Sequence, residues 1–202
     1  MRKASTEAYG VISAQKLEEL RNAYLILAQM MDFPEEELLT SDFLAEVKGL
    51  FPETEEKAEV IAILEALQGK NLMVLKEEYT GIFELNKRIT LYTTYYRFDD
   101  SRERGGVLAK LKMLYEMFGV SLDAAELTDY LPSMLEFLGM GEWAGDERLE
   151  DLQLLFDVLE DGTYEILQAA KEIQDEPYIR LISVIRNTLR YALINERKEV
   201  NG

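Results

Sequence analysis

The chain has 202 residues, of which 48% are hydrophobic and only 4 are Pro and 12 Gly, and this composition predicts one compact, helix-rich domain spanning residues 1–202. The formal net charge of −17 disfavours binding to nucleic acid or to an anionic membrane surface, because both require basic groups. Cys and His are absent, which removes thiolate nucleophiles, zinc–thiolate sites and the usual general base near neutral pH. We therefore predict a binding protein without catalytic residues, metal or cofactor.

Neither the N-terminus nor the longest apolar stretch predicts insertion into a membrane. Met1-Arg2-Lys3 is followed by polar residues and not by the apolar core of a signal peptide. The longest nearly apolar stretch, residues 24–31, is too short to span a bilayer. These features predict a soluble protein of the cytoplasm.

Helical periodicity recurs through the first part of the chain. Leu17, Leu20, Tyr24, Leu27 and Met31 form one face of a first helix, which ends at Phe33-Pro34. Three further helices are expected: one capped by Ser41, one capped by Thr54 and ending at Gly69, and one over residues 71–83.

The pattern weakens over residues 85–100. Residues 89–96 have the β-branched and aromatic composition of a strand. Because the sequence offers no second strand-like segment, a lone strand is implausible, and we predict a helix or loop that is fixed by tertiary packing.

The second half of the chain is again helical. A helix is expected from Ser101 to a stop at Gly119, a short one from Leu122, and one over residues 132–140 with Pro132 in its first turn. Gly139, Gly141 and Gly145 predict a loop, and the last helices are expected at residues 146–159, 163–173 and 178–195. The fold class is thus all-α, a single-domain bundle of about ten helices with short connections.

Acidic residues are concentrated in one segment. Residues 123–161 contain twelve acidic side chains and one basic one, Arg148, so this segment carries −11 of the net −17. One interpretation is a face that captures a cationic peptide; the other is the solvent side of ordinary amphipathic helices. Asp129 and Glu136 favour the first, because they flank aromatic residues in a mixture that suits a basic amphipathic segment.

No motif in the sequence predicts an active site. A helical di-metal centre takes Glu-x-x-His pairs, which a chain without His cannot supply. Gly69-Lys70 is followed by Asn71 and therefore does not form a phosphate-binding loop. Gly105-Gly106 would hold an anion only weakly, and adjacent glycines are commoner in turns.

Four motifs follow one another in the middle of the chain: Tyr79-Thr80-Gly81-Ile82-Phe83, Leu91-Tyr92, Arg102-Glu103-Arg104-Gly105 and a stretch over residues 126–138. Their order resembles that of the redox-enzyme maturation chaperones, and most closely their NarJ-type branch, the delta-subunit assembly chaperones of respiratory nitrate reductase. That stretch is similar to the family signature Glu-Leu-Pro-Asp-(His/Tyr)-Leu-Pro-x-x-Leu-Glu-Phe-Leu. It departs at Thr128, where the family often has Pro, and has Tyr130 where relatives often have His, so no imidazole titrates there.

The resemblance implies an all-helical cytoplasmic chaperone without catalytic activity. Such chaperones bind the N-terminal leader of a molybdoenzyme catalytic subunit, here the nitrate reductase alpha subunit. They hold it until the molybdenum cofactor is inserted and the subunit docks on its membrane partner. Both a monomer and a homodimer are compatible with the sequence.

The resemblance also implies a peptide-binding groove. The residues carried over as contacting the leader or shaping the groove are Asp129, Tyr130, Pro132, Glu136, Phe137, Tyr92, Tyr95, Arg102 and Arg104. Structural alternatives stand beside several of them: Pro132 sets the start of a helix, Phe137 belongs to the core, the two tyrosines 92 and 95 simply pack, and the arginines pair with Asp99 or Asp100.

Two other functions remain open. The first is a chaperone for another exported molybdoenzyme, such as a sulfoxide or amine-oxide reductase, whose client has an intact twin-arginine signal. The second is a generic acidic helical adaptor, or a bundle enzyme that uses carboxylates, although the absence of His disfavours the latter.

Overall fold

The computed structural model describes residues 11–98, 101–120 and 126–194. These ranges contain nine α-helices: α1 (Ala14–Glu19), α2 (Arg21–Met31), α3 (Ser41–Leu50), α4 (Lys57–Gln68), α5 (Leu72–Tyr79), α6 (Ser101–Met117), α7 (Leu131–Met140), α8 (Gln153–Ala169) and α9 (Pro177–Tyr191). The all-α prediction is confirmed. The short helix expected from Leu122 begins in residues 121–125, which lie outside the described ranges.

Short irregular elements complete these ranges. A π-helical turn, Thr80–Glu84, continues α5, and 3₁₀ turns occupy Glu36–Leu39, Thr93–Tyr96, Leu149–Leu152 and Lys171–Ile173. The two-residue strands β1 (Val11–Ile12) and β2 (Leu193–Ile194) pair antiparallel. They join the two ends of the described chain, a contact that no sequence pattern predicted.

The helix α2 lies at the centre of the core and packs against α7. Gly139 allows this close approach, because an added Cβ would stand 2.6 Å from the Leu25 side chain and 3.1 Å from the Arg21 carbonyl oxygen. The guanidinium of Arg21 in turn donates to the carbonyls of Gly139, Met140 and Gly141, which caps the end of α7. Gly139 therefore belongs to the last turn of the helix predicted over residues 132–140, and only its use as a marker of the following loop was wrong.

The helix α8 is continuous where the sequence predicted a break. The predicted helices at 146–159 and 163–173 left a gap at residues 160–162, but Gly162 is buried within α8, where an added Cβ would meet the Thr93 Cβ at 2.5 Å. Glu160, which is 4% exposed, forms ion pairs with Arg186 (Nη2 to Oε2, 2.6 Å) and Arg190 (Nε to Oε1, 3.0 Å). These pairs tie α8 to α9.

Other predicted boundaries shifted slightly or were confirmed. The first predicted helix is interrupted at Leu20, and Thr40 rather than Ser41 caps α3 by accepting from the Phe43 amide at 3.1 Å. Residues 85–92 form a loop that leads into the Thr93–Tyr96 turn, in agreement with the rejection of a lone strand. Among the helices of the described ranges, none combines the length and apolar content that crossing a bilayer requires.

Candidate functional site

An isolated antiparallel bridge between Tyr92 and Tyr130 joins the central loop to the start of α7. The Thr93 amide donates to the Asp129 carbonyl and the Leu131 amide donates to the Leu91 carbonyl, both at 2.9 Å. Pro132 fixes the first turn of α7, so the chain before it is extended and free to pair. The bridge brings the two tyrosine rings to a centroid distance of 5.6 Å.

Behind this bridge, Asp129 is fully buried. Its Oδ2 accepts from the Thr94 amide at 3.2 Å, the Thr94 hydroxyl at 2.5 Å and Arg104 Nη2 at 3.1 Å. Arg104 Nε also donates to the Thr94 hydroxyl at 2.9 Å, which closes the network. The Asp129 side chain therefore holds the bridge and α6 together from behind the site, and its role in shaping a peptide groove stays a prediction.

In front of the bridge, Tyr130 contacts the C-terminal ends of α2 and α5. Its hydroxyl donates to Asp32 Oδ1 at 2.9 Å and lies 2.9 Å from the Tyr79 hydroxyl. Burial, followed by the effects of Tyr79 and Asp32, raises the pKa of Tyr130 well above its ordinary value. Tyr130 therefore stays protonated and keeps the Asp32 carboxylate in place.

Two cavities open on this side of the molecule. The first, of about 250 Å³, is lined by Asp32, Phe33, Tyr79, Phe83, Glu84, Thr90, Leu91, Tyr92, Glu126 and Tyr130. The second, of about 360 Å³, is lined by Leu25, Gln29, Asp32, Phe33, Glu35, Glu37, Leu38 and Glu136. Because Asp32 and Phe33 line both, the cavities are adjacent, and together we call them the acidic groove.

The acidic groove combines negative charge with apolar and aromatic surface. Six carboxylates line it, and among the described lining residues none is Lys or Arg. Lys76 lies at its edge, paired with Glu35 at 3.0 Å and placed 5.0 Å from the centre of the Phe33 ring. Partial burial, and secondarily the charge of Asp32, raises the pKa of the Glu136 carboxyl. A cation beside Glu136 would therefore stabilise its ionised carboxylate.

The residues predicted from the sequence separate into three groups. Tyr92, Tyr130 and Glu136 line the acidic groove. Behind it lie Asp129, Arg104, Pro132 and Phe137, of which Phe137 packs on Tyr115, Phe118 and Trp143 in the core. Tyr95, which packs against Tyr96, and Arg102, on the surface of α6, do not line either cavity. Arg104 pairs with Asp129. Asp99 and Asp100, the partners that the sequence suggested for the arginines, lie outside the described residues.

The sequence interpretation missed the half of the groove contributed by residues 32–37. Asp32, Phe33, Glu35 and Glu37 come from the end of α2 and the following turn, far from the quoted signature. One signal was available: Asp32 is the C-cap of α2, where a negative charge opposes the helix dipole. A carboxylate in that unfavourable position suggests a role other than helix stability.

The linear acidic segment, by contrast, does not form one face. Glu160 is buried with two arginines, Asp161 pairs with Arg97 at 2.7 Å, and Asp146 pairs with Arg148 at 2.5 Å. Among the described residues of this segment, Glu126 and Glu136 are the acidic ones that line the groove. Within residues 11–98, 101–120 and 126–194, no group of three or more carboxylates is arranged to hold a metal ion.

The fold is similar to one that has been solved before. A crystal structure of a putative redox enzyme maturation protein from Archaeoglobus fulgidus matches 84% of this chain and 93% of its own length with a TM-score of 0.59, at 20% sequence identity. The profile of the family described as "Nitrate reductase delta subunit" matches residues 51–170, which is more than half of the sequence. The chain belongs to this family.

Two relatives with assigned names are assembly chaperones for nitrate reductase. The probable nitrate reductase molybdenum cofactor assembly chaperone NarJ of Bacillus subtilis (strain 168) is 29% identical over 179 residues, which cover 87% of this chain and 91% of that protein. The nitrate reductase molybdenum cofactor assembly chaperone NarJ of Escherichia coli (strain K12) is 33% identical over 61 residues, 30% of this chain and 26% of its own. The prediction of a NarJ-like assembly chaperone, rather than an enzyme, is confirmed by this membership.

Proposed function

We propose that this chain binds the N-terminal leader of a molybdoenzyme catalytic subunit, the nitrate reductase alpha subunit, in the acidic groove. It holds the leader until the molybdenum cofactor has been inserted and the subunit docks on its membrane partner, and it acts in the cytoplasm. The observation that carries the proposal is that six carboxylates and several aromatic side chains line two adjacent cavities. Such a lining suits an amphipathic basic segment.

Each component of the groove has a distinct task in this proposal. The apolar face of the leader packs against Leu25, Phe33 and Leu38, which line the second cavity. A Lys or Arg of the leader lies between Asp32 and Glu136, where a charge-assisted hydrogen bond relieves the repulsion between the two carboxylates. No covalent step is required, so capture and release are governed by affinity alone.

Calorimetric titration with a synthetic leader of about 20 residues, long enough for an amphipathic helix or extended segment, tests this proposal. We expect Asp32→Asn and Glu136→Gln each to weaken binding about tenfold, in keeping with loss of one charge-assisted contact. Glu147→Gln is the matched control, because Glu147 is exposed and belongs to the linear acidic segment but does not line the groove.

The outcomes separate the remaining alternatives. Equal weakening by all three substitutions would mean diffuse attraction to an acidic surface and not a groove. Binding to an intact twin-arginine signal, with none to the nitrate reductase leader, would reassign the client to another molybdoenzyme. Binding to neither peptide would favour the generic adaptor.

A further inference from the structure

One cation at the edge of the acidic groove belongs to the chain itself. Lys76, in the last turn of α5, places its Nζ 3.0 and 3.2 Å from the two carboxylate oxygens of Glu35. The same Nζ lies 5.0 Å from the centre of the Phe33 ring. Phe33 lines both cavities of the groove and Glu35 lines the second, so Lys76 occupies a position at which two groove residues contact a cation.

Phe33 and Glu35 together have the chemistry of a site for an ammonium or guanidinium group. The face of an aromatic ring attracts a cation through its quadrupole, and a carboxylate adds negative charge and hydrogen-bond acceptors. A Lys or Arg of the leader, which the proposed function brings into this groove, offers the same kind of group as Lys76. The two cations are therefore competitors for one position.

The turn after α2 gives a physical reason for a cation at this position in the free protein. Residues 32–37 include four acidic side chains, those of Asp32, Glu35, Glu36 and Glu37, and no basic one. Like charges this close together repel each other, and the ammonium of Lys76 offsets part of that repulsion. A cation of the leader would offset it in the same way, so one cation can replace the other.

The contacts of Lys76 are easily broken. Its side chain is 33% exposed and that of Glu35 is 61% exposed, so water and salt screen the ion pair. The four-carbon stem of a lysine is flexible, and the ammonium can therefore leave Glu35 without a change in α5. Displacement of Lys76 costs little compared with the contacts that a bound leader would make.

We infer that Phe33 and Glu35 form a cation subsite of the acidic groove, which Lys76 fills in the free protein and a cationic side chain of the leader takes over on binding. This inference rests on the proposed function and adds a second position for a cation beside that between Asp32 and Glu136. Lys76 thereby sets the affinity: a leader binds well only when it supplies a cation that replaces the one it displaces.

Leader binding by Lys76→Met tests this inference. Met has an unbranched side chain of similar length but carries no charge. Lys48→Met is the matched control, because Lys48 also forms an exposed ion pair, with Glu65, and neither residue lines the groove. In calorimetric titration with the synthetic leader, we expect Lys76→Met to bind about three- to tenfold more tightly than the unsubstituted chain, and Lys48→Met to stay within about twofold of it.

The outcomes distinguish this inference from the proposed function. If the unsubstituted chain binds the leader but Lys76→Met binds it no more tightly than Lys48→Met, the inference is wrong, and Lys76 only braces the turn after α2 against α5. If none of the three proteins binds the leader, the proposed function is wrong and the inference is lost with it.

Nuclear magnetic resonance of the lysine side chains provides a second measurement. Reductive methylation with carbon-13 formaldehyde labels each lysine and keeps its charge, and Lys76→Arg identifies the Lys76 resonance by its loss. In the free protein the Phe33 ring should shift this resonance away from those of solvent-exposed lysines, and saturation with the leader should move it to their position. A Lys76 resonance that keeps its shift in the complex would overturn the inference, because Lys76 would then still lie on Phe33.

Discussion

Asp129 and Glu136 belong to the same signature, but the tertiary structure gives their carboxylates different tasks. Asp129 has no exposed surface and binds Thr94 and Arg104, while Glu136 is exposed and faces the groove beside Asp32. The sequence treats the two as equivalent acidic residues next to aromatic rings. Substitution of Asp129 should therefore mainly lower the stability of the protein, whereas substitution of Glu136 should mainly weaken its binding of the leader.

Substitution of Asp129 by Ala should affect folding first. We expect it to lower the free energy of unfolding by about 2–4 kcal/mol, because a half-buried Arg104 and the buried Thr94 amide lose their acceptor. Urea denaturation measures this effect, with Glu136→Ala as the control that changes stability by less than about 0.5 kcal/mol. A stable Asp129→Ala protein that has lost leader binding would contradict the structural role of Asp129.

Glu136 should impose a pH dependence on leader binding. Burial and Asp32 raise its pKa, so as the pH falls this carboxyl is protonated earlier than an ordinary Glu, and affinity for a cationic leader falls with it. The ionised form is also the less favoured one in the folded state, so its cost to stability at neutral pH is relieved as the pH falls through the folded-state pKa.

The measurement is calorimetry between about pH 7.5 and about pH 4.5, with a leader that contains no His, since the chain itself has none. In Glu136→Gln the loss of affinity should begin at lower pH than in the unsubstituted chain. Identical profiles for the two proteins would assign the pH dependence to other carboxylates.

At the scale of elements, helix periodicity was predicted well and helix ends less well. The starts of α6 and α7, the stop at Gly119 and the exit of α4 at Gly69 followed from capping and turn residues. The errors at Gly139 and Gly162 have one cause: a glycine signals either a break or a close approach of two backbones, and only packing distinguishes them.

Gly162→Ala tests that explanation. Despite the higher helix propensity of Ala, we expect the free energy of unfolding to fall by about 1–3 kcal/mol, because the added Cβ would meet the Thr93 backbone at 2.9 Å. Gly49→Ala in α3 has open space and should raise it by roughly 0.5–1 kcal/mol, as thermal or urea unfolding would show. Similar stabilisation by both changes would mean that α8 and Thr93 separate easily.

At the scale of the whole molecule, the acidic groove is assembled from distant parts of the chain. Its carboxylates come from the end of α2, the turn after α5, the loop before α7 and α7 itself. The residues that match the family profile begin at 51, so Asp32, Glu35 and Glu37 lie outside that match and only the fold brings them to the signature. In the 123–161 segment, Glu160 instead forms a buried ion pair that ties α8 to α9, while Asp146 and Asp161 pair with arginines at the surface.

The sequence by itself determined the all-α class, most helices, the absence of His- and Cys-based chemistry and the family, because each depends on residue types and on spacings within a few turns of helix. Which acidic residues are exposed was decided by tertiary structure alone. Burial of Asp129 and Glu160, the presence of Asp32 in the groove and the fit of Gly139 and Gly162 all depend on contacts between residues far apart in the chain. A local pattern carries no information on such contacts, since the same side chain is stable in solvent or beside a buried partner.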